Sequence, residues 1–417
     1  MSQTIAPVAE ATEATASSPT SAKTYLKAAF DHPLFSYRLI IATVAVLLSL
    51  GLLMVISSSS VLAGYAGDPY YYGKRQLLFA IAGLALGWGV SRLPEGFLKA
   101  MAWPALLLAV ALLVLTQTSL GVEQGGNLNW LKFGPEWTRF QPSEFAKLAI
   151  IVWGANDLAW RHQHRKLTDI RHWLIFIIMT FSIVVLVVAQ KDQGTAMVIA
   201  AMILVIMVAA GAAWRLLIAL GTLAAIGVTI LIILQPYRME RIWAFLNPSL
   251  DPMGYNLQPT RSLYALASGG WFGRGLGGSL QKWGMLAGAH TDYIFAIIGE
   301  ELGVFGALAV VALFAVLACV GIRIANRSAT FFSRTVAIGV VSWFVVQGFV
   351  NIAVALRLVP VMGVTLPMVS YGGSSLLANL LAVGLLVGCA RREPAAAAAL
   401  AKRAPGGRIT TFVRARR

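Results

Sequence analysis

The sequence has few charged residues and almost no cysteine. Asp, Glu, Lys and Arg make up 12% of its 417 residues, about half of the share that soluble domains usually have. Hydrophobic residues reach 58%, so the composition argues strongly against an ordinary soluble enzyme. Only Cys319 and Cys389 are present, both in apolar segments. They are interpreted as small core residues, and they give no support to a disulfide framework.

Histidine is also scarce, with five residues in the chain. No His-Glu-x-x-His or Cys-x-x-Cys motif occurs, which argues against a dedicated transition-metal site. A Mg²⁺ or Mn²⁺ ion that bridges a substrate pyrophosphate would need no such motif, because oxygen ligands and water can hold it. We therefore expect no dedicated metal site, and a substrate-bound divalent ion stays open.

Long apolar runs dominate what is present. A bilayer core of about 30 Å is crossed by about 20 apolar residues in a helix. The runs predict an all-α polytopic membrane protein with about ten transmembrane helices. They lie at residues 37–57, 76–91, 101–118, 144–160, 172–189, 195–213, 215–234, 293–322, 335–356 and 374–390. The first run is too long and begins too late for a cleavable signal peptide, so we expect a retained signal anchor.

Basic residues concentrate in alternate connecting segments. Residues 161–171, residues 323–334 and the chain after 390 are rich in Lys and Arg, whereas the intervening short loops carry few. The positive-inside rule then places both termini in the cytoplasm. The net charge of +16 reflects this topology, and we expect no nucleic-acid partner.

The domain organisation follows from the same runs. Residues 1–34 are rich in Ala, Thr, Ser and Glu without apolar periodicity, which predicts a disordered cytoplasmic tail. Residues 35–390 form one membrane domain. Residues 391–417 are basic and Ala-rich, and Pro405-Gly406-Gly407 breaks any helix, so we expect a cytoplasmic tail near anionic lipid.

A large extracytoplasmic loop, residues 235–292, separates predicted spans 7 and 8. A loop of this length is uncommon unless it is functional or disordered, and its aromatic content favours a loop that folds back on the membrane and builds a site. Its cations suit an anionic substrate. They are Arg238, Arg241, Arg261, Arg274 and Lys282. The Gly273–Gly278 segment satisfies G-x-G-x-x-G, but without a βαβ context its glycines indicate turns.

Asp292 is the strongest candidate for chemistry, in the segment Ala289-His290-Thr291-Asp292-Tyr293. An Asp at a membrane boundary is costly to desolvate and suggests function, and a carboxylate can act as general base towards a hydroxyl. The alternative is that Asp292 only caps the helix that starts at Tyr293. His290 is two residues away and would not face Asp292 on a helix, so we expect it to hydrogen-bond within the loop.

A second candidate segment runs from Arg139 to Lys147. Ser143 could cap the helix that follows, and Glu144 and Lys147 can pair at i,i+3. The pair is either a structural ion pair or, together with Arg139, a site for an anionic head group, and the two interpretations are compatible.

Three further polar groups lie at predicted membrane boundaries or within spans. Ser370 belongs to a Pro- and Gly-rich segment, 367–375, that either lines a cavity or is a simple loop. Asp192 is interpreted as the N-terminal carboxylate of the sixth span. Glu300 and Glu301 must face the bundle interior, because exposure to lipid would be expensive.

Several segments together resemble the SEDS family of bacterial cell-wall proteins (shape, elongation, division and sporulation), over about residues 35–393. They are Tyr237-Arg238-Met239, Phe245-Leu246-Asn247-Pro248, Asp251-Pro252, Gly273 to Lys282, His290-Thr291-Asp292, Gly299-Glu300-Glu301-Leu302-Gly303 and Ser370 to Ser375. The loop is more similar to the division member than to the elongation member. The resemblance implies a ten-helix bundle with an extracytoplasmic cavity and peptidoglycan glycosyltransferase activity on lipid II in septal wall synthesis.

The resemblance also implies roles for individual residues. Asp292 matches the family's essential aspartate, here the general base. Glu144 and Lys147 match its buried ion pair, and Arg139 matches the basic residue before Gln-Pro. The expected substrate-binding set is Arg139, Lys147, Glu144, Arg238, Arg241, Ser279, Gln281, Lys282, His290, Thr291 and Ser370.

Family membership further implies a class B penicillin-binding protein as transpeptidase partner, other division proteins, and a location at the septum. Two other functions fit the same cavity and cations. One is a lipid II flippase without chemistry, since polar residues inside a bundle also mark transport pathways. The other is a non-catalytic divisome scaffold, for which Asp292→Asn would be harmless.

Overall fold

The computed structural model describes residues 32–124, 126–132, 134, 139–165, 167, 170–234, 236–247 and 254–403. Most of the predicted N-terminal tail and the Pro405-Gly406-Gly407 break lie outside these ranges. Within the basic C-terminal segment, residues Pro394–Arg403 form a helix.

Helices account for most of the described chain, as the apolar runs predict. In chain order they are α1 Phe35–Tyr65, α2 Tyr71–Arg92, α3 Glu95–Ala100, α4 Ala102–Leu115, α5 Pro142–Gln163, α6 Ile170–Ala189, α7 Gln193–Ala209, α8 Trp214–Leu234, α9 Pro236–Leu246, α10 Leu257–Gly269, α11 Ile294–Arg327, α12 Phe331–Ala355, α13 Gly373–Arg391 and α14 Pro394–Arg403. Helices α1, α11, α12 and α13 are long and apolar enough to cross a membrane, and α4, α6, α7 and α8 contain shorter apolar helices. The mostly helical membrane fold is confirmed, and the number of ten spans stays a prediction.

Large apolar side chains cover the outside of the bundle. On α8, the side chains of Ile218, Leu223, Ile226 and Ile233 are all more than half exposed. Such surface would drive aggregation in water, whereas lipid tails cover it at no cost. The exposed apolar surface and the long apolar helices together indicate a multi-pass membrane protein. Cys389 is buried in this bundle as a small core residue, but Cys319 is exposed, contrary to expectation.

A small antiparallel sheet departs from the all-α prediction. Strands β1 (Gly121–Gln124), β2 (Asn127–Lys132) and β3 (Arg139–Phe140) pair in chain order, with Val122 opposite Trp130 and Lys132 opposite Arg139. The N–H of Leu128 donates to the carbonyl of Gln190 at 3.0 Å, which fixes the sheet to the end of α6. Strands of two to six residues are too short for hydrophobic alternation to stand out in a sequence.

Glycines let α2 and α13 approach closely. A Cβ atom at Gly87 would lie 2.5 Å from the carbonyl oxygen of Leu380, and Gly83 faces the Leu380 side chain in the same way. Gly384 on α13 faces the backbone of Gly87. Small residues at helix contacts are typical of membrane bundles, because lipid supplies no hydrophobic drive and packing must hold the helices together.

The segment after α10 folds back onto a break in α11. Gly303 interrupts that helix with φ 71° and ψ −168°, a conformation that glycine adopts readily. The N–H groups of Arg274 and Gly275 donate to the carbonyls of Glu300 and Glu301, both at 3.0 Å. The backbone groups that the break leaves free are thus satisfied by the folded-back segment, as membrane depth requires.

The glycines of that segment form turns, as predicted. Gly273, Gly275 and Gly277 all have φ between 78° and 88°. The sheet formed by β1 to β3 is antiparallel, and the described chain contains no βαβ unit around these glycines. They serve close backbone approach to α11 and not a dinucleotide site.

Candidate functional site

Asp292 lies immediately before α11 but does not cap it. The helix begins at Ile294, its cap residue is Tyr293, and no side chain forms a capping hydrogen bond. The backbone of Asp292 is instead held from α12, where Asn351 Nδ2 donates to the Asp292 carbonyl at 2.8 Å and to the Val364 carbonyl at 2.7 Å. The interpretation of Asp292 as a simple helix cap is therefore wrong.

The loop that carries Asp292 is clamped to the segment before α13. Ser370 Oγ donates to the Thr291 carbonyl at 2.6 Å and accepts from the Leu366 N–H at 2.8 Å. The N–H of Tyr371 donates to the His290 carbonyl at 2.9 Å, and Gln76 Nε2 of α2 donates to the Ser370 carbonyl at 3.1 Å. Ser370 thus positions the loop, and Thr291 takes part through its backbone.

His290 packs its ring among tyrosines. Its ring centroid lies 4.8 Å from that of Tyr72 and 5.7 Å from that of Tyr371. Burial lowers the pKa of His290 to about 4, because an apolar environment disfavours the charged imidazolium. The ring is therefore neutral at pH 7 and unsuited to neutralise an anion by charge.

The carboxylate of Asp292 is half-buried and accessible. Among the described residues, no group donates a hydrogen bond to it. Gly363 lies beside it, and a Cβ atom added there would be 3.7 Å from Asp292 Oδ2. Burial, and secondarily the negative charge of Asp192, raise the pKa of Asp292 to about 6. A carboxylate of this kind is a stronger base than an ordinary Asp and is still ionised at pH 7.

Asp192 is the negative charge that acts on Asp292. It caps α7, as predicted, by accepting from the Thr195 N–H at 3.1 Å. Its Oδ2 also accepts from Asn129 Nδ2 at 2.8 Å and from Gln141 Nε2 at 3.1 Å. The sequence predicted the capping role of Asp192 but not that Asp192 lies near Asp292, because nothing in the local pattern around residue 192 indicates this proximity.

The buried ion pair forms within α5. Lys147 Nζ donates to Glu144 Oε1 at 2.8 Å and to Gln347 Oε1 at 2.8 Å, and it lies 4.5 Å from the Trp343 ring centroid. Lys147 is 1% exposed. Its ammonium is thus satisfied inside the bundle. The expected capping role of Ser143 is wrong, since α5 begins at Pro142 and the Ser143 hydroxyl is buried without a partner among the described residues.

A small polar cavity lies between the ion pair and the loop beside Asp292. Its volume is about 30 Å³, and Glu144, Thr195, Gly363 and Thr365 are among its lining residues. The second oxygen of Glu144, Oε2, is buried and has no partner among the described residues. This space is large enough for a water molecule with several polar partners. Gly363, which lines it together with Glu144, also lies beside Asp292 Oδ2.

A larger cavity lies on the other side of the same loop. Its volume is about 360 Å³, and it is lined by Arg241, Tyr255 and Arg357 together with apolar residues. Val359, Pro360 and Val361 form one wall, and Gly363, two residues further, lies beside Asp292. The loop from 359 to 365 therefore has the large cavity, the Asp292 carboxylate and the small cavity along it.

Three residues that the sequence predicts to bind substrate form hydrogen bonds to the buried glutamates of α11. Ser279 Oγ donates to Glu300 Oε2 at 2.5 Å, and Lys282 Nζ donates to Glu301 Oε1 at 3.3 Å. The N–H of Gln281 donates to Glu300 Oε2 at 3.4 Å. Glu300 and Glu301 are fully buried, as predicted. The structure therefore places Ser279, Gln281 and Lys282 where they hold the loop on α11, and their contact with substrate stays a prediction.

The remaining predicted cations take different positions. Arg139 lies in β3 with a half-buried side chain, two residues before the Gln141 that binds Asp192. Arg238 lies in α9, and its side chain is outside the described part of the chain. Within the described ranges, no three or more His, Cys, Asp or Glu side chains come together as metal ligands.

Known proteins resemble the chain along most of its length. The model of the cell cycle protein family FtsW/RodA/SpoVE matches residues 37–394. The chain is 37% identical over 390 residues to the probable peptidoglycan glycosyltransferase FtsW of Mycobacterium tuberculosis, covering 92% of this chain and 74% of the relative. It is also 37% identical over 358 residues to the stage V sporulation protein E of Bacillus subtilis, covering 85% of this chain and 96% of the relative.

Solved structures show the same fold. One belongs to work on the structural coordination of polymerization and crosslinking by a peptidoglycan synthase complex, with a TM-score of 0.70, 28% identity, and coverage of 85% of this chain and 97% of that chain. The rod shape determining protein RodA of Thermus thermophilus gives a TM-score of 0.63 and 26% identity, and covers 85% of this chain and 96% of that chain.

Proposed function

Since this chain belongs to the FtsW/RodA/SpoVE family of cell cycle proteins, we propose that it is a peptidoglycan glycosyltransferase that polymerises lipid II with Asp292 as general base. The observation that carries the assignment of the base is the half-buried Asp292 carboxylate. It receives no hydrogen bond among the described residues and lies beside Gly363, on the loop whose residues line both cavities. Its raised pKa, about 6, gives a base that is ionised at neutral pH and stronger than an exposed Asp.

The reaction joins two lipid-linked disaccharides. As the 4-hydroxyl oxygen of the acceptor GlcNAc attacks the anomeric carbon of the donor MurNAc, Asp292 accepts the hydroxyl proton. The bond from the anomeric carbon to the pyrophosphate oxygen breaks, and undecaprenyl pyrophosphate leaves with inversion. Because the hydroxyl is a very weak acid, proton transfer must accompany attack, and this is the situation in which general-base catalysis contributes.

The leaving pyrophosphate gains negative charge that cations must stabilise. Lys147 and Lys282 are already paired with Glu144 and Glu301. Arg241 lines the large cavity together with Tyr255, over whose ring its guanidinium lies, and we assign it to this charge. A Mg²⁺ or Mn²⁺ ion bound mainly by pyrophosphate oxygens would supply further charge there.

The partner and the location belong to the same proposal. A transpeptidase of the class B penicillin-binding protein type would crosslink the glycan strands. A structurally similar chain comes from work on a complex that couples polymerization and crosslinking. We place the protein at the division septum with other division proteins, and both termini in the cytoplasm, because basic residues concentrate in the segments assigned to that side.

The test is polymerisation of lipid II by the purified protein with its transpeptidase partner, with glycan ladders resolved on a gel. Asp292→Asn should lower the rate by about a hundred-fold or more, the contribution typical of a general base. Asp68→Asn is the matched control. Asp68 is an exposed acid on the same predicted face that accepts from Lys74 and from the Tyr70 N–H, and an exposed pair contributes little.

Each outcome separates the candidate functions. Ladders from wild type and Asp68→Asn but not from folded Asp292→Asn support the polymerase and its base. Ladders of equal yield from all three would remove Asp292 from that role. No ladder from folded, partner-bound wild type, with or without added Mg²⁺ or Mn²⁺, would favour the flippase or the scaffold.

A further inference from the structure

Arg357 occupies a backbone conformation that glycine usually fills. It follows the end of α12, where the N–H groups of Arg357 and Leu358 donate to the carbonyls of Val354 at 3.0 Å and Ala353 at 2.8 Å. The φ angle of Arg357 is 55°, in the left-handed region, which is unfavourable for residues with a Cβ atom. Backbone strain of this kind clusters at ligand-binding and active sites, where the residue is needed for its side chain.

The Arg357 side chain faces the large cavity. Its Nη2 donates to Asn256 Oδ1 at 3.1 Å, and the side chain lines the 360 Å³ space together with Arg241. In the described ranges, from which 248–253 are missing, no carboxylate lies within ion-pairing distance of Arg357. In this part of the chain, the guanidinium of Arg357 therefore has a neutral amide as its hydrogen-bond partner and no negative charge to neutralise it.

The cavity combines two guanidinium groups with apolar walls. Phe245, Met285 and Val359 are among the apolar residues that line it, and its volume lies in the range of pockets for small molecules. Guanidinium groups bind phosphate oxygens through paired hydrogen bonds. The lining thus matches an anionic phosphate group that is attached to a hydrocarbon chain.

A short loop connects Arg357 to the residue that lies beside Asp292, so a ligand bound at Arg357 would be held near the proposed base. The chain continues from the cavity wall formed by Val359, Pro360 and Val361 to Gly363, where an added Cβ atom would lie 3.7 Å from Asp292 Oδ2. A phosphate group bound at Arg357 would lie at one end of the short segment 357–363, and Asp292 lies beside its other end. The loop would then fix the distance between the phosphate and the reacting hydroxyl.

We infer that Arg357 binds pyrophosphate oxygens of a lipid-linked substrate and positions that substrate beside Asp292. The inference rests on the proposed function for the identity of the substrate. The same phosphate chemistry is present in the head group of an anionic membrane phospholipid, so the experiment must separate these two sources.

The experiment measures binding without turnover. Full-length protein in phosphatidylcholine nanodiscs is titrated with undecaprenyl pyrophosphate, followed by intrinsic tryptophan fluorescence. We expect Arg357→Gly to weaken binding by about ten-fold to a hundred-fold, the effect of losing a charge-assisted hydrogen bond, and Arg357→Lys to weaken it less. Arg334→Gln, an exposed arginine at the other end of α12, should bind as wild type does.

A thermal unfolding series tests the alternative that Arg357 only joins α12 to Asn256. Glycine relieves the left-handed strain, so Arg357→Gly should be at least as stable as wild type. A clear loss of stability, or unchanged binding in Arg357→Gly, overturns the inference. So does equal, Arg357-dependent competition by phosphatidylglycerol, which would assign the cavity to a membrane lipid.

Failure of the inference and failure of the proposed function give different results. If Asp292→Asn loses glycan ladders and still binds undecaprenyl pyrophosphate through Arg357, both stand. If wild type forms ladders and substitution of Arg357 leaves undecaprenyl pyrophosphate binding unchanged, only the inference on Arg357 is wrong. If wild type forms no ladder and binding depends on Arg357, the inference on pyrophosphate binding is supported and the polymerase is not.

Discussion

Two carboxylates, Asp192 and Asp292, have opposite surroundings although both lie near helix N-termini. Asp192 is buried and accepts three hydrogen bonds, from Asn129, Gln141 and Thr195. Asp292 is half-buried and receives none among the described residues. Burial, and secondarily the negative charge of Asp192, raise the pKa of Asp292. One carboxylate thus prepares the other to act as a base.

Asp192→Asn should shift the pH dependence of polymerisation. The base acts only when ionised, so kcat/KM falls as the pH drops through the pKa of Asp292, about 6. Without the nearby negative charge the ionised form is less disfavoured, and this pKa falls towards its ordinary value of 3.8. The acidic limb of the profile should therefore move to lower pH. Glu123→Gln, an exposed acid in β1, is the control, and an unchanged limb in Asp192→Asn would contradict the coupling.

Contacts between elements depend on glycines at specific positions. Gly87 and Gly384 let α2 and α13 touch through their backbones, and Gly303 breaks α11 where the segment after α10 docks. Both contacts hold the loops of the site, because Gln76 of α2 binds the Ser370 carbonyl and Lys282 of the docked segment binds Glu301.

Gly87→Ala and Gly89→Ala should have opposite effects on stability. An added Cβ at Gly87 would lie 2.5 Å from the Leu380 carbonyl oxygen, whereas nothing lies within 4 Å of a Cβ at Gly89. We expect Gly87→Ala to lose about 1–3 kcal/mol through overpacking. Gly89→Ala should gain up to about 1 kcal/mol from helix propensity. Thermal unfolding in detergent measures both, and equal shifts would contradict the close helix contact.

At the scale of the whole molecule, the structure joins segments that the hydropathy and charge pattern assign to one side. Asn129 binds Asp192 at the end assigned to the outside. At the opposite end, Thr330 Oγ1 donates to Glu95 Oε2 at 2.8 Å, and Arg392 donates to the Leu93 carbonyl at 3.0 Å. The contacts within each group join segments that the predicted alternation of spans assigns to one side of the membrane.

Topology reporters test the orientation. Fusions after Gly67 and after Met285 should report the outer side, and fusions after Arg165 and after Arg403 should report the cytoplasm, because the basic segments stay inside. Alkaline phosphatase is active only outside and a fluorescent protein only inside, so each site gives a positive signal in one reporter. Agreement at Gly67 with a reversed signal at Met285 would show that the chain has an odd number of spans between them and would overturn the count of ten.

Hydropathy and the cost of burying a charge are enough to predict the helices and to single out Asp292 from the sequence. Apolar runs of membrane length specify helices because backbone groups in lipid must bond within their own segment. An acid at a membrane boundary is conspicuous because burial of a charge is so costly. The buried positions of Glu300 and Glu301 follow from the same cost.

The surroundings of these residues depend on how the helices and loops pack in three dimensions. It brought Asp192 and Gly363 to Asp292, although about 100 and about 70 residues of chain separate them from it. It turned Ser279 and Lys282 inward to the buried glutamates, formed the short sheet, and set Arg357 in a left-handed conformation on a cavity wall. Such contacts depend on how helices pack over long chain separations, and local pattern carries no record of that packing.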